Sequence, residues 1–330
     1  MAMRRLAVVV AVAALSLIGG ASRHGAGTRD GPPDDRIAVA HPADQLGAAV
    51  AGSGDVWVDD RARQRVLRID ARTGRVRAAI PVDGRVALAA GPHAVWALQS
   101  GGGYGIGLRG PLLRIDPRTD RVRARIPLAT RAGYSRLGFG VQAAGRAVWV
   151  WGPWDILRID GRAERVASRI AVGQQHGELT GLAVDEQRLV AGTADGNLLV
   201  FDAATGRRTR VVRIPFRKPS PRALEGRRLL FTASGAVGVL DLAAGRMAWR
   251  RRLGFRAGAT LGSDGLVWVH SSALHERGDR VTALRLAGGG VVTSGIVPAF
   301  GSTGITESAG LVTIATAGGS LLMLAPRGRQ

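Results

Sequence analysis

Val66-Leu67-Arg68-Ile69-Asp70-Ala71-Arg72-Thr73-Gly74-Arg75-Val76-Arg77-Ala78-Ala79-Ile80-Pro81-Val82 reads as strand, tight turn, strand. Leu67 and Ile69 point to one side of the first arm, Arg68 and Asp70 to the other. The Asp70 carboxylate is placed to accept from backbone N–H groups two or three residues on. Thr73 adds a second local hydrogen bond, and Gly74 suits the φ > 0 position of a bulged hairpin loop. The pattern returns at residues 112–122, 156–166, 198–207 and 237–246. Its aspartates, Asp70, Asp116, Asp160, Asp202 and Asp241, stand 46, 44, 42 and 39 residues apart. The second copy puts Asp120 in place of the glycine, and the third has Ala163 and Glu164 in place of Thr-Gly. A sixth copy, 282–290, keeps only the glycines.

A period of about 40–45 residues built from strands is the mark of a β-propeller blade. The repeated aspartates are read as turn chemistry rather than as metal or sugar ligands, because copies on different blades cannot converge. Second strands of blades are expected at 55–58, 94–97, 147–150, 188–191, 228–231, 266–269 and 311–314, which makes seven. Short inner strands are expected before them, at 46–52, 86–91, 138–145, 182–186, 224–226, 261–265 and 305–310. Their Ala and Gly suit the crowded wall of a central channel. Trp57, Trp96, Trp149 and Trp268 share one register and are expected to fill the space between sheets. Residues 36–41 resemble the second arm of the hairpin without a first, and 320–325 resemble the first arm without a second. The two halves imply an all-β, seven-bladed propeller of four-stranded blades over 36–330, with the N-terminal strand completing the C-terminal blade. Such closure removes two sheet edges.

The chain has no cysteine, which excludes disulfides, thiolate metal sites and Cys nucleophiles. Arg4 and Arg5, the apolar run 6–18 and the small residues 19–21 read as a signal peptide over 1–21. The run is short for a spanning helix; an uncleaved membrane anchor is the alternative reading. No Cys follows it, so a lipoprotein is not expected. Residues 22–35, rich in Gly, Pro and Asp, read as a disordered linker. The expectation is a secreted protein, periplasmic or extracellular, monomeric and with no membrane span in the mature chain. A net charge of +21 points to an anionic partner. Lys218 is the sole lysine, and the arginines are dispersed over outward strand positions. A mildly polyanion-binding surface is therefore expected ahead of a dedicated nucleic-acid site.

The V-W-V, L-R-I-D-x-x-T-G-R-V and I-P-V patterns resemble those of secreted YVTN-type and quinoprotein-like (PQQ-like) repeat propellers, over roughly 36–330. Quinone-binding dehydrogenases of that wider group typically have eight blades and adjacent cysteines. This chain has seven and none, so no cofactor is expected. A second resemblance is to the seven-bladed streptogramin-cleaving lyases, which need a catalytic His and a metal at the channel mouth.

Loops between middle strands share a face with the links from one blade to the next, and the Asp turns lie on the other. Binding is expected on the first face, where loops converge over the channel. The links place Gln45, Arg85, Arg136, Glu178, Arg222, Arg256 and Thr303 near the channel mouth, where four arginines form a positive funnel. Tyr104 sits in the glycine-rich loop 99–111, and Trp154 in Trp151-Gly152-Pro153-Trp154. His270 and His275 lie five apart in a stretch read as a solvated loop, so no metal site is expected. His176 and Glu178 form the one candidate acid–base pair. The resulting expectation is a non-enzymatic scaffold binding an anionic small molecule, an anionic polymer or a protein partner. The alternatives are a lyase or hydrolase at the channel mouth and a nucleic-acid-binding propeller.

Overall fold

A computed structural model describes residues 37–99, 110–128, 139–172, 174–253, 255–262, 264–272, 278–297, 301–308 and 311–324. The signal peptide and linker expected at 1–21 and 22–35 lie outside the described residues. Seven four-stranded antiparallel sheets are present. Six are consecutive meanders, such as Leu46–Gly52, Asp55–Asp60, Arg65–Asp70 and Val76–Pro81 in blade one. The seventh takes Ser302–Ser308, Leu311–Thr316 and Leu321–Leu324 from the end of the chain and Ile37–Ala40 from its beginning. Ile37 pairs with Leu324 and Ala40 with Leu321, as the orphaned half-hairpins imply. Inner strands of successive blades touch in order, and the last touches the first, so the ring is closed. No helix among the described residues is long and apolar enough to cross a membrane.

The inner strands of blades four to seven begin earlier than expected, at Leu179–Val184, Ser220–Glu225, Phe255–Leu261 and Ser302–Ser308. Each carries a register shift near its start, at Leu179/Gly181, Pro221/Ala223, Phe255/Gly258 and Ser302/Gly304. A bulge leaves an extra residue unpaired and re-aims its side chain. Arg222, Arg256 and Thr303 therefore lie on channel-lining strands rather than in the links where they were expected.

The turn chemistry is as read. Asp70 Oδ1 accepts from the N–H groups of Arg72 at 2.9 Å and Thr73 at 2.8 Å. Asp160 does the same with Arg162 and Ala163, although its copy lacks Thr-Gly. The glycine position is left-handed in all six hairpins, with φ 67° at Gly74 and 54° at both Asp120 and Glu164. The carboxyls of Asp70, Asp116, Asp160, Asp202 and Asp241 are held below the usual carboxylate range by these donors and by neighbouring arginines.

The core is divided among the gaps between blades. Among the described residues there is one apolar cluster per interface. Trp57, Trp96, Trp149 and Trp268 are buried in four of them, each facing the following blade. At about 25 cal/mol per Å² and roughly 150–250 Å² per ring, each contributes about 4–6 kcal/mol before entropy.

Four of the arginines are spent on the same interfaces. Arg68 lies 5.4 Å above the Trp57 ring and donates to Asp55 at 2.6 Å. Its Nη1 reaches the turn of blade two, at Pro117 O (2.5 Å) and Asp120 Oδ1 (3.0 Å). Arg114 reaches Glu164 in the turn of blade three at 2.7 Å. Arg210 reaches Leu242 O and Ala243 O in the turn of blade five. Arg251 and Trp249 reach Gly289 O and Leu286 O in that of blade six. Part of the dispersed positive charge is thus a set of latches, each gripping the turn of the next blade.

Candidate functional site

Antiparallel connectivity puts the first-to-second and third-to-fourth turns of every blade on one face, here the turn face. The middle loops and the blade-to-blade links lie on the other, the loop face. On the loop face, Gln45 is exposed and its carbonyl accepts from Arg61 N–H at 3.1 Å. Arg85 is exposed and close enough to Asp59 to act on its charge. The Thr303 hydroxyl lies 2.9 Å from Gly47 O and 3.1 Å from Ala315 O, stitching blade seven to blade one. Trp154 is half-buried, and its carbonyl accepts from Val172 N–H. His176 Nε2 stands 2.8 Å from Arg208 Nη1, on the outermost strand of blade four, so its lone pair is engaged by a cation. Glu178 is half-buried, and its carbonyl accepts from Ala194 N–H. Tyr104, Arg136 and His275 lie outside the described residues. Arg256 is described in backbone only.

Arg222 is the informative member of the set. As the bulge residue of its strand it projects from the sheet. It is solvent-accessible, yet the protein around it desolvates the guanidinium and lowers its pKa. That combination suits a side chain lining a narrow channel. Its Nε donates to the Thr232 hydroxyl at 3.1 Å, and among the described residues no carboxylate pairs with it.

Two further ionisable side chains occupy one register in blades one and six, and the second of them lies near Arg222. Val56-Trp57-Val58-Asp59 and Val267-Trp268-Val269-His270 align, so Asp59 and His270 share a face with their tryptophans and are buried. Leu98 and Trp151 hold that position in blades two and three. The expectation that His270 lies in a solvated loop is therefore wrong: strand alternation carries it into the gap between blades six and seven. Desolvation pushes its pKa down to about 4, and the positive Arg222 acts in the same direction against nearby Asp279. A Cβ on Gly258 would collide with His270 Nε2, so only glycine admits the ring. Asp279 is buried and accepts from Ser302 N–H at 2.9 Å and from its hydroxyl. His270 Nδ1 is buried without a hydrogen-bond partner among the described residues.

Asp59 is fully buried beside Gly47, where a Cβ would collide with its Oδ2. Burial raises its pKa to about 6, against the opposing pull of Arg61, Val86 N–H and Arg85. Its Oδ1 has no partner among the described residues, and its ion pair with Arg61 is long, at 3.4 Å. The signal for both residues was present in the sequence, as a titratable residue two positions after a core Trp, where the parity demands an apolar one.

A second concavity lies on the turn face, between blades two and three. It is a cleft of about 420 Å³ floored by Trp96 and Val148 and rimmed by His93, Arg146 and Arg162.

No curated protein matches the sequence. Hydrazine synthase of Kuenenia stuttgartiensis is similar in fold, with a TM-score of 0.69, 14% identity, 86% of this chain covered and 96% of that one. The family model PQQ_2, described as outer membrane protein assembly factor BamB, matches residues 155–325, which is over half of the 330 residues, and the chain belongs to that family of propellers.

Proposed function

We propose that the protein is an exported binding scaffold whose loop face receives a carboxylate or other small anionic group at Arg222. The group comes from a free anion or from an acidic side chain of a protein partner. The observation that supports this reading is an exposed guanidinium at a bulge of a channel-lining strand whose side-chain hydrogen bond goes to a neutral hydroxyl. A guanidinium crowded by protein but open to solvent, with no carboxylate beside it among the described residues, is placed to take its counter-charge from an incoming anion. An anion docking there gains a charge-assisted hydrogen bond in a low-dielectric setting. His270, held neutral beside it, adds hydrogen-bonding capacity without competing charge. The family description, an assembly factor for outer membrane proteins, favours a protein as the source of the anion.

The test is thermal unfolding of wild type and Arg222→Met with phosphate, sulfate and succinate, against chloride at matched ionic strength. Anion-dependent stabilisation of the wild type alone supports the site. An acidic peptide that competes with the small anion identifies a protein source, whereas small anions that bind without peptide competition identify a free one. Equal stabilisation of both proteins refutes the role of Arg222.

A further inference from the structure

The residue after the turn position held by Asp in blades one to five and by Arg285 in blade six has a structural task that blade three omits. Ala71, Ala203, Leu242 and Leu286 occupy this position in blades one, four, five and six. All four are buried, and each belongs to the apolar cluster shared with the preceding blade. Pro117, in blade two, is buried as well. Blade three has Gly161, which supplies no side chain to plug the gap against blade two. The 420 Å³ cleft opens at that gap and is lined in part by Gly161 itself. Its φ is not in the left-handed region, so the backbone does not require glycine here. A Cβ would meet Trp96 Cζ2 and Arg146 O at 3.2 Å, which places the edge of the indole directly beneath the missing side chain.

The rim is cationic. Arg146 and Arg162 are exposed, and neither has an ion pair or hydrogen bond for its guanidinium among the described residues. Arg114, also in the lining, is held by Glu164. An apolar floor with a few convergent polar groups is the usual make-up of a small-molecule pocket, and the volume is within the usual range.

We propose that this cleft is a second binding site, for a small planar aromatic anion. The ring lies against Trp96 and Val148 where blade three lacks its plug, and the anionic group is taken by Arg146 and Arg162. The site is on the face opposite Arg222, and it stands or falls independently of the loop-face reading.

Calorimetric titration with 2-naphthoate, its neutral analogue 2-naphthalenemethanol, and acetate tests it. Wild type is expected to bind 2-naphthoate saturably and the other two about tenfold more weakly or less. Gly161→Leu restores the plug of blades five and six and is expected to weaken naphthoate binding by about tenfold or more. The double variant Arg146→Ser/Arg162→Ser, altered only on exposed turns, is expected to do the same with the fold retained by circular dichroism. Arg222→Met is expected to leave binding unchanged. The proposal is overturned by no saturable naphthoate binding, by acetate binding as tightly, by binding indifferent to both cleft variants, or by loss of binding in Arg222→Met.

Discussion

Replacing Asp59 with Asn is expected to stabilise the protein at neutral pH, although it alters a fully buried side chain with a nearby cation. Below pH 3.8 the carboxyl is protonated in folded and unfolded chains alike and contributes nothing to the pH dependence. Between 3.8 and about 6 the unfolded chain has released its proton while the folded chain still holds it. Stability therefore falls as pH rises through that window and stays at the lower value above it. The interval from 3.8 to about 6, at about 1.36 kcal/mol per tenfold change in acidity, amounts to about 3 kcal/mol. The amide introduced by Asp59→Asn never ionises and keeps an acceptor for Val86 N–H. The stability difference between variant and wild type should grow from near zero at about pH 4 to as much as about 3 kcal/mol at about pH 7, or about 5 °C in Tm for a domain of this size. Urea and thermal unfolding of both proteins from about pH 4 to 8 at constant ionic strength measure it. A difference that does not change with pH refutes the reasoning. So does an Asp59→Asn protein that is less stable at neutral pH than in acid relative to wild type, because Arg61 and Arg85 would then be holding the carboxylate ionised.

His270 has the opposite sign: its folded pKa of about 4 lies below the ordinary 6.5, so the unfolded chain binds the extra proton. Stability is present above 6.5 and is lost, by up to about 3 kcal/mol, as pH falls to about 4; in His270→Gln that acid slope should vanish from the unfolding curves. Arg68→Met leaves Asp55, whose side chain is 2% exposed, with only its longer ion pair to Arg77 at 3.4 Å, and releases the turn of blade two. A loss of about 3 kcal/mol or more is expected in urea denaturation. Arg114→Met breaks a pair with Glu164 that is about one-third exposed, and the same assay should show under about 1 kcal/mol. A chain beginning at His41 lacks Ile37–Ala40 and bares the edge of Leu321–Leu324. Size-exclusion chromatography should show association that the full chain does not.

The blade count, the ring closure and the turn were legible because each rests on short-range chemistry repeated from blade to blade. Asp160 still caps its turn after Thr and Gly have gone, so the Asp alone was enough to follow the repeat. The inner strands were harder to read. Their Ala-Gly composition carries little alternation, and a bulge shifts parity without changing composition, so Arg222 and Thr303 were assigned to links. His270 was misread because its own strand, Leu266–Ser272, runs further than its V-W-V core suggests. The arginines looked like a surface property. Arg68 and Arg210 turn inward along the sheet to reach a neighbour about 30 to 50 residues away, and no local pattern encodes that distance. The third copy was visible as a weakened repeat through Ala163 and Glu164, whereas Gly161 stands out only once the equivalent residues are seen to be plugs.

The pairing of Ile37–Ala40 with Leu321–Leu324 also sets a timetable. Ile37 and Leu324 are 287 positions apart, so Ile37–Ala40 has no partner in its sheet until Leu321–Leu324 has been made. Until then the nascent molecule is an arc with two adhesive ends, and each end can accept a strand from another copy. Long-range closure of this kind slows folding. The interval before Leu321–Leu324 meets Ile37–Ala40 is thus one in which shielding the two ends of the arc would guard against association.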